Sequence, residues 1–196
     1  MNIFIVYAHP SEDSFTRHVK DSFIKGLKNS GHSYILSDLY KMKFNTDMNE
    51  KEYLRESNYR ADLPLPDDVL DEQKKINSSD AIALIYPLFW TEAPAKMVGW
   101  FNRVWTYGFA YGNRSMKTLE KGLVICVAGH SLQHLKEYGH YDSIKTVMLG
   151  DRLFDRGKTK ELIVLDGTTK YNLESRKANW NKHLETAFEA GRTISA

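Results

Sequence analysis

The feature that most restricts the possible folds of this chain is a run of six apolar residues, Ala81-Ile82-Ala83-Leu84-Ile85-Tyr86. Polar Asp80 precedes the run and Pro87 follows it, so the run has the length of a strand. A strand without polar alternation has both faces buried, which is typical of a parallel sheet covered by helices on both sides. We therefore expect a central strand of an α/β domain.

Further apolar runs repeat this pattern, and segments with helical periodicity separate them. The predicted strands are Ile3–Tyr7, Ser33–Ser37, Ala81–Tyr86, Leu123–Ala128 and Leu162–Leu165. The predicted helices are one from Phe15 that ends at Gly31, Lys51–Arg55, Asp67–Asn77, Lys96–Trp105, Ser143–Phe154 and one from about Leu173. This alternation predicts a doubly wound, five-stranded parallel sheet of order 2-1-3-4-5 with helices on both faces. The length of 196 residues suits one domain over residues 1–196.

Composition and charge narrow the classes of partner. The formal net charge is +2 and no block of Lys and Arg stands out, which argues against a nucleic-acid partner. The single cysteine, Cys126, excludes an internal disulfide and a cysteine-based metal cluster, and its apolar surroundings predict a buried side chain. No segment reaches the length of a membrane span, and Ile3–Tyr7 lacks the basic lead of a signal peptide, so we expect a cytoplasmic protein without stable membrane insertion.

Three loops should meet at the switch point of such a sheet, where ligands bind outside the carboxyl ends of the strands. They are Ala8–Ser14, Pro87–Pro94 and Gly129–His140. The first loop contains no glycine, so it is neither a dinucleotide fingerprint nor a Walker loop. Its hydroxyls and the N–H groups of the helix start suit a phosphate, and the same residues equally suit an ordinary helix cap. Glu12 and Asp13 are expected to point into solvent.

The other two loops carry aromatic and titratable side chains. Phe89 and Trp90 stand between two prolines, which suits a preorganised wall for a flat aromatic ligand or a surface packed under a dimer partner. The third loop holds three histidines and Tyr138. Because no carboxylate is spaced to complete a ligand set, we predict no metal site, and Tyr138 and His140 better suit hydrogen-bond donation to a developing oxyanion. A polar surface loop with incidental histidines is the alternative.

Several motifs in a fixed order carry a resemblance over nearly the whole chain. They are Ala8-His9-Pro10-x-x-x-Ser14-Phe15, Asp38-Leu39-Tyr40-x-Met42-x-Phe44-Asn45, Asp71-Glu72-Gln73-Lys74-Lys75-Ile76, and Tyr86-Pro87-Leu88-Phe89-Trp90-x-x-x-Pro94-Ala95-x-x-x-Gly99-Trp100-Phe101-Asn102-Arg103-Val104. With them the chain closely resembles the NAD(P)H:quinone oxidoreductase (DT-diaphorase-like) family, which has a flavodoxin-like fold. It looks like the short bacterial members, without the extra C-terminal part of the mammalian enzymes.

The resemblance implies a homodimer with flavin at the switch point and active sites lined by both subunits. NAD(P)H would pass a hydride to the flavin N5 and leave, and a quinone or similar acceptor would then take the hydride in the same place, which is a ping-pong sequence. FAD is favoured, with FMN as the alternative, because Arg176 and Trp180 match positions that flank the dinucleotide part in FAD-binding members.

The same resemblance assigns individual residues. Those assigned to the flavin are His9, Ser14, Phe15, Thr16, Pro87, Leu88, Phe89, Trp90, Thr91, Ala128, Gly129, His130 and Arg176. Tyr138 and His140 are assigned to catalysis, as donors that stabilise the charge of the reduced ring, and Tyr111 is assigned to the substrate pocket. Phe89 stands where the family commonly has a polar residue, and we expect it to influence which acceptor is used.

Two other functions stay open at this point. Some relatives of this family are flavin-binding ancillary subunits of glutathione-gated potassium efflux systems, in which the dimer and the flavin serve binding. A one-electron carrier like flavodoxin is the other alternative. The near-neutral charge argues against the carrier, because small acidic carriers use negative charge to dock their partners.

Overall fold

The computed structural model describes residues 1–195 and contains one five-stranded parallel sheet of order β2-β1-β3-β4-β5, as predicted. The strands are β1 (Asn2–Tyr7), β2 (Ser33–Asp38), β3 (Ala81–Pro87), β4 (Leu119–Val127) and β5 (Gly157–Leu165). Every residue of β3 is buried, and β3 pairs with β1 on one side and β4 on the other. The apolar run therefore forms the centre of the sheet, as its composition predicts.

Helices connect the strands. They are α1 (Phe15–Asn29), α2 (Glu50–Ser57), α3 (Asp67–Asn77), α4 (Ala95–Val104), α5 (Leu132–Glu137), α6 (His140–Lys145) and α7 (Leu173–Arg192), with a π-helical segment (Thr146–Arg152) after α6. The predicted helix Ser143–Phe154 was incomplete, because α6 begins at His140 and passes into the π-helical segment. The predicted loop Gly129–His140 was wrong in part, since it contains α5. No helix within residues 1–195 is long and apolar enough to cross a membrane.

The two faces of the sheet carry separate hydrophobic clusters, because neighbouring side chains of a strand point to opposite faces. Ile3 and Ile5 of β1 belong to the cluster covered by α1 and α7. Phe4 and Val6 belong to the other cluster, which contains residues of α3, α4, α6 and the π-helical segment. Cys126 of β4 is fully buried, as predicted, and burial raises the pKa of its thiol to about 12.

Helices α1 and α7 touch backbone to backbone on their face of the sheet. A Cβ atom at Gly26 would lie 2.0 Å from the carbonyl oxygen of Phe188, and a Cβ atom at Gly191 would lie 2.2 Å from that of Phe23. The Ser22 hydroxyl adds a hydrogen bond of 2.7 Å to the carbonyl oxygen of Leu184. Each helix therefore places a glycine against the backbone of the other, and these two contacts set the distance between the helices. Both helices begin at the carboxyl edge of the sheet.

Candidate functional site

The first loop ends in a helix cap. The Ser14 hydroxyl accepts a hydrogen bond of 3.1 Å from the Arg17 amide and lies 3.4 Å from the Tyr7 hydroxyl. Phe15 and Thr16, the first residues of α1, are buried. Their amides lie in the first turn, where N–H groups have no acceptor within the helix, so this end of α1 can bind an anion. Glu12 and Asp13 are exposed, as expected.

His9 lies beside this helix start and lines a cavity of about 330 Å³ that Arg17, Lys20 and Lys41 also line. The Ser11 amide lies 2.9 Å from His9 Nδ1, so that nitrogen is engaged within the loop and Nε2 is left to meet a ligand. Burial lowers the pKa of His9, although a hydrogen bond with the Ser11 carbonyl opposes the shift. Two carboxylates, Glu12 and Asp38, line the same cavity, so three cationic side chains face two anionic ones and the excess of positive charge is small.

The second loop folds into a tight two-residue turn. The amide of Phe89 donates to the carbonyl oxygen of Glu92 at 2.9 Å, and the amide of Glu92 donates back at 3.0 Å. The residues between them have positive φ, +55° at Trp90 and +71° at Thr91. Turns of this kind prefer glycine or asparagine, and a β-branched residue there is strained. The Trp90 side chain is 100% exposed, so the described chain holds a large apolar ring in solvent.

A cavity of about 470 Å³ separates this turn from the third loop. Its walls are Leu88, Trp90, Thr91, Ala128, Gly129, His130, His134, Leu135 and His140. The carboxyl ends of β3 and β4 therefore bring together much of the predicted ring-binding set at the edge where such sheets bind ligands. Phe89 and Pro87 do not line this cavity: Phe89 is half-exposed at the start of the turn, and Pro87 is buried at the end of β3.

Helix α5 organises the third loop into a stack of rings. The Ser131 hydroxyl caps α5 by accepting a hydrogen bond from the His134 amide at 3.2 Å. The His130 and His134 rings are stacked with centroids 4.2 Å apart, and the Tyr138 ring lies 4.5 Å from that of His134. Tyr138 is also stacked at 6.2 Å on His140. His134 was missed in the sequence analysis, although its four-residue spacing from Tyr138 is a helical signal. Within residues 1–195 no group of three or more His, Cys, Asp and Glu side chains could hold a metal ion.

The segment after β5 holds the third loop in place. The Asp166 carboxylate accepts a hydrogen bond of 2.6 Å from the Leu132 amide at the start of α5. The Gly167 amide donates to the carbonyl oxygen of His130 at 3.0 Å, and the Thr168 hydroxyl donates to that of Ala128 at 2.9 Å. Sequence reasoning missed these residues, whose only signal was a polar turn directly after a predicted strand.

Arg176 and Tyr111 also lie outside the lining of the 470 Å³ cavity. The Arg176 guanidinium lies over the Trp180 ring at 5.3 Å, and Trp180 packs against Phe15 at 4.2 Å, so Arg176 is close to the helix start of the first loop. Tyr111 lines a separate cavity of about 360 Å³, together with Arg152 and other residues. The chain by itself therefore does not place Tyr111 against the proposed ring site.

Tyr111 is held by a carboxylate from α2. Its hydroxyl donates to Glu56 Oε2 at 2.9 Å, and the Tyr107 amide donates to the same oxygen at 2.6 Å. Arg55 forms an ion pair with the other oxygen of Glu56. Burial, followed by the hydrogen bond to Glu56, raises the pKa of Tyr111 to about 12.

Replacing Glu56 with glutamine should lower the pKa of Tyr111 toward its ordinary value of 10.0. The raised pKa of wild-type Tyr111 contributes stability that is present below pH 10 and is lost as the pH rises toward about 12. Ultraviolet titration of tyrosinate, with the signal of Tyr111→Phe subtracted, isolates this group. An unchanged Tyr111 pKa in Glu56→Gln would show that the Glu56 carboxylate does not contribute to the raised pKa. The matched control is Glu120→Gln, which replaces an exposed carboxylate paired with Lys158.

Comparison with known proteins places the chain in a class. Residues 1–151 match the family model described as the flavodoxin-like fold (Flavodoxin_2), so the chain belongs to that family. Within it, the chain groups with the NAD(P)H:quinone oxidoreductases. A solved structure titled NAD(P)H:quinone oxidoreductase from Methanothermobacter marburgensis is 42% identical, with a TM-score of 0.93, and the match covers 100% of this chain and 98% of that one.

Curated relatives match this chain over shorter stretches. NAD(P)H dehydrogenase [quinone] 1 of Rattus norvegicus is 32% identical over 57% of this chain and 46% of its own length. An uncharacterized NAD(P)H oxidoreductase of Haemophilus influenzae is 31% identical over 71% of this chain and 70% of its own length. The chain thus spans a little under half the length of the rat relative. The family resemblance inferred from the sequence motifs is confirmed.

Proposed function

We propose that the protein is a flavin-dependent NAD(P)H oxidoreductase that reduces a quinone or a similar acceptor. The observation that carries the proposal is the 470 Å³ cavity at the carboxyl ends of β3 and β4, with the exposed Trp90 on one wall and the His130–His134 stack on the other. The similarity to the Methanothermobacter protein titled NAD(P)H:quinone oxidoreductase supports the same activity.

The residues present fit a flavin. Its flat ring needs a concave site with apolar walls, and a 470 Å³ cavity lies within the ordinary range for ligand sites, about 300–1,000 Å³. Its phosphate needs N–H donors, which the start of α1 and His9 offer, and positive charge, which Arg17 offers. A bound flavin would supply two-electron transfer between a nicotinamide and an acceptor.

We assign the proposed contacts in two groups. The phosphates and ribityl chain would meet His9, Ser14, Phe15 and Thr16, and the ring would meet Pro87, Leu88, Phe89, Trp90, Thr91, Ala128, Gly129 and His130. FAD is the proposed form, because the Arg176–Trp180 pair beside Phe15 provides a cationic, aromatic surface for a further nucleotide part. Tyr138 and His140 would donate hydrogen bonds where negative charge develops.

A homodimer with shared active sites is part of the proposal. Trp90 and Phe154 present apolar surface to solvent in the single chain, and Tyr111 is partly exposed. Exposed apolar side chains of this size commonly mark a surface that another protein covers. In a dimer, the partner's Tyr111 would complete the acceptor pocket. Sedimentation of the purified protein as a monomer would contradict this part.

The direct test is the absorbance spectrum of the purified protein, followed by mass analysis of the released cofactor, which separates FAD from FMN. We expect a yellow protein, or a colourless one that binds added flavin. A protein that stays colourless after incubation with FAD and FMN would overturn the proposal. Initial rates with NADH or NADPH and a soluble quinone should give parallel double-reciprocal lines, and intersecting lines would exclude one shared pocket.

A further inference from the structure

Arg152 has no assigned part in the proposed function, yet it reaches the Trp90–Thr91 turn from a distant element. It ends the π-helical segment, and its guanidinium forms a two-pronged ion pair with Glu92, with Nη1 to Oε1 at 3.0 Å and Nη2 to Oε2 at 3.3 Å. Glu92 is the last residue of the turn. Two parallel charge-assisted hydrogen bonds fix direction as well as distance.

The guanidinium is itself held from other sides. It lies over the Phe101 ring at 4.7 Å, and Nη1 donates to the sulfur of Met148 at 3.2 Å. The Arg152 side chain is largely buried, with 11% exposure, whereas that of Glu92 is 44% exposed. The arginine is therefore the fixed partner, and the carboxylate of the turn is brought to it.

The turn needs such an anchor. Trp90 and Thr91 both have positive φ, and non-glycine residues in that region are strained and persist only where the surrounding structure enforces the conformation. The exposed Trp90 side chain supplies no packing of its own. Glu92 Oε1 also accepts the Ala93 amide at 2.7 Å, so this carboxylate ties the end of the turn both to the following residue and to Arg152.

We propose that Arg152 is a positioning residue that acts through Glu92 to hold the Trp90–Thr91 turn in its strained form, so that the wall of the ligand cavity exists before the ligand binds. This inference rests on the proposed function, because the ligand of the cavity is taken to be the flavin. The physical gain is preorganisation, because a wall that is already ordered loses less conformational freedom on binding.

The test compares Arg152→Met with Arg152→Lys, which keeps the charge but cannot form the two-pronged pair. The protein is labelled with 5-fluorotryptophan, and the fluorine NMR signal of Trp90 among the four tryptophans is assigned with Trp90→Phe. In flavin-free protein we expect Arg152→Met to broaden or split the Trp90 signal and to leave those of Trp100 and Trp180 unchanged. The dissociation constant for flavin should rise about 10-fold, and less in Arg152→Lys.

Glu92→Gln keeps the volume of the side chain and removes its charge, so it tests the pair even where Arg152→Met lowers stability. The double variant should be no worse than the more affected single variant, because both remove the same contact. Arg114→Met is the matched control, since it breaks a surface pair with Asp155.

Unchanged Trp90 signals and unchanged flavin affinity in both single variants would overturn the positioning role, and so would additive effects in the double variant. Failure of the wild-type protein to bind any flavin would instead count against the proposed function. The NMR comparison of flavin-free proteins would still decide whether Arg152 orders the turn.

Discussion

Replacing Tyr138 with phenylalanine and His140 with glutamine together will slow flavin reduction by NAD(P)H about 100-fold while the flavin stays bound. Hydrogen-bond donors contribute most where negative charge develops in a site shielded from water. His140 lines the 470 Å³ cavity, whereas Tyr138 is 67% exposed and lies outside the lining, with its ring centroid 6.2 Å from that of His140. The Trp90–Thr91 wall stays intact in this variant, so affinity for flavin should change little. Stopped-flow absorbance measures the rate, and equilibrium titration measures the affinity.

His32→Gln is the matched control for the histidine. His32 lies at the opposite edge of the sheet, where its Nδ1 is 3.1 Å from the N-terminal amine. We expect the flavin of this variant to be reduced by NAD(P)H at the wild-type rate. If the Tyr138 and His140 variant also reduces at the wild-type rate, the two residues are not the donors and the catalytic assignment is wrong.

Replacing Gly191 with alanine will lower the free energy of unfolding by about 3 kcal/mol, at the upper end of ordinary overpacking. The added Cβ would stand 2.2 Å from the carbonyl oxygen of Phe23, and this oxygen belongs to the backbone of α1, so neither helix can yield by a rotamer change. The total stability of a domain is about 5–15 kcal/mol, which makes this a large fraction. Urea unfolding followed by circular dichroism measures the change.

Gly150→Ala separates this steric effect from the general preference of helices for alanine. A Cβ at Gly150 meets no atom within 4 Å, so we expect unchanged or slightly raised stability. Equal loss of stability in both variants would argue against the close crossing of α1 and α7. Gly26→Ala, whose Cβ would lie 2.0 Å from the Phe188 oxygen, should behave like Gly191→Ala.

The sequence predicts an element well where the burial of its side chains leaves a strong pattern. Strand β3 and helix α3 lie within one residue of their predicted bounds, because an apolar run and a strong helical period define them. Strand β5 begins at Gly157 rather than Leu162, since its first part is exposed at the sheet edge and carries polar residues. Helix α5 was missed because six residues with one buried side chain have too little apolar periodicity to stand out.

The candidate site was predictable as a set of loops but not as an arrangement. The motifs identified the residues of the turn and of the third loop. The positive φ at Trp90 and Thr91 was not predictable, because neither position holds the glycine or asparagine that is typical of such a turn. The Arg152–Glu92 pair joins residues 60 positions apart, which only the tertiary fold brings together. Long-range ion pairs of this kind leave no local pattern in a sequence.

The burial of Cys126 has a practical consequence for labelling the protein. The thiolate is the form that attacks maleimides and disulfides, and a buried thiol with a pKa of about 12 supplies almost none of it at neutral pH. Because the chain has a single cysteine, an engineered cysteine on an exposed loop would be the one reactive thiol of the folded protein. Dyes or spin labels can then be attached at one chosen point without first removing a native residue.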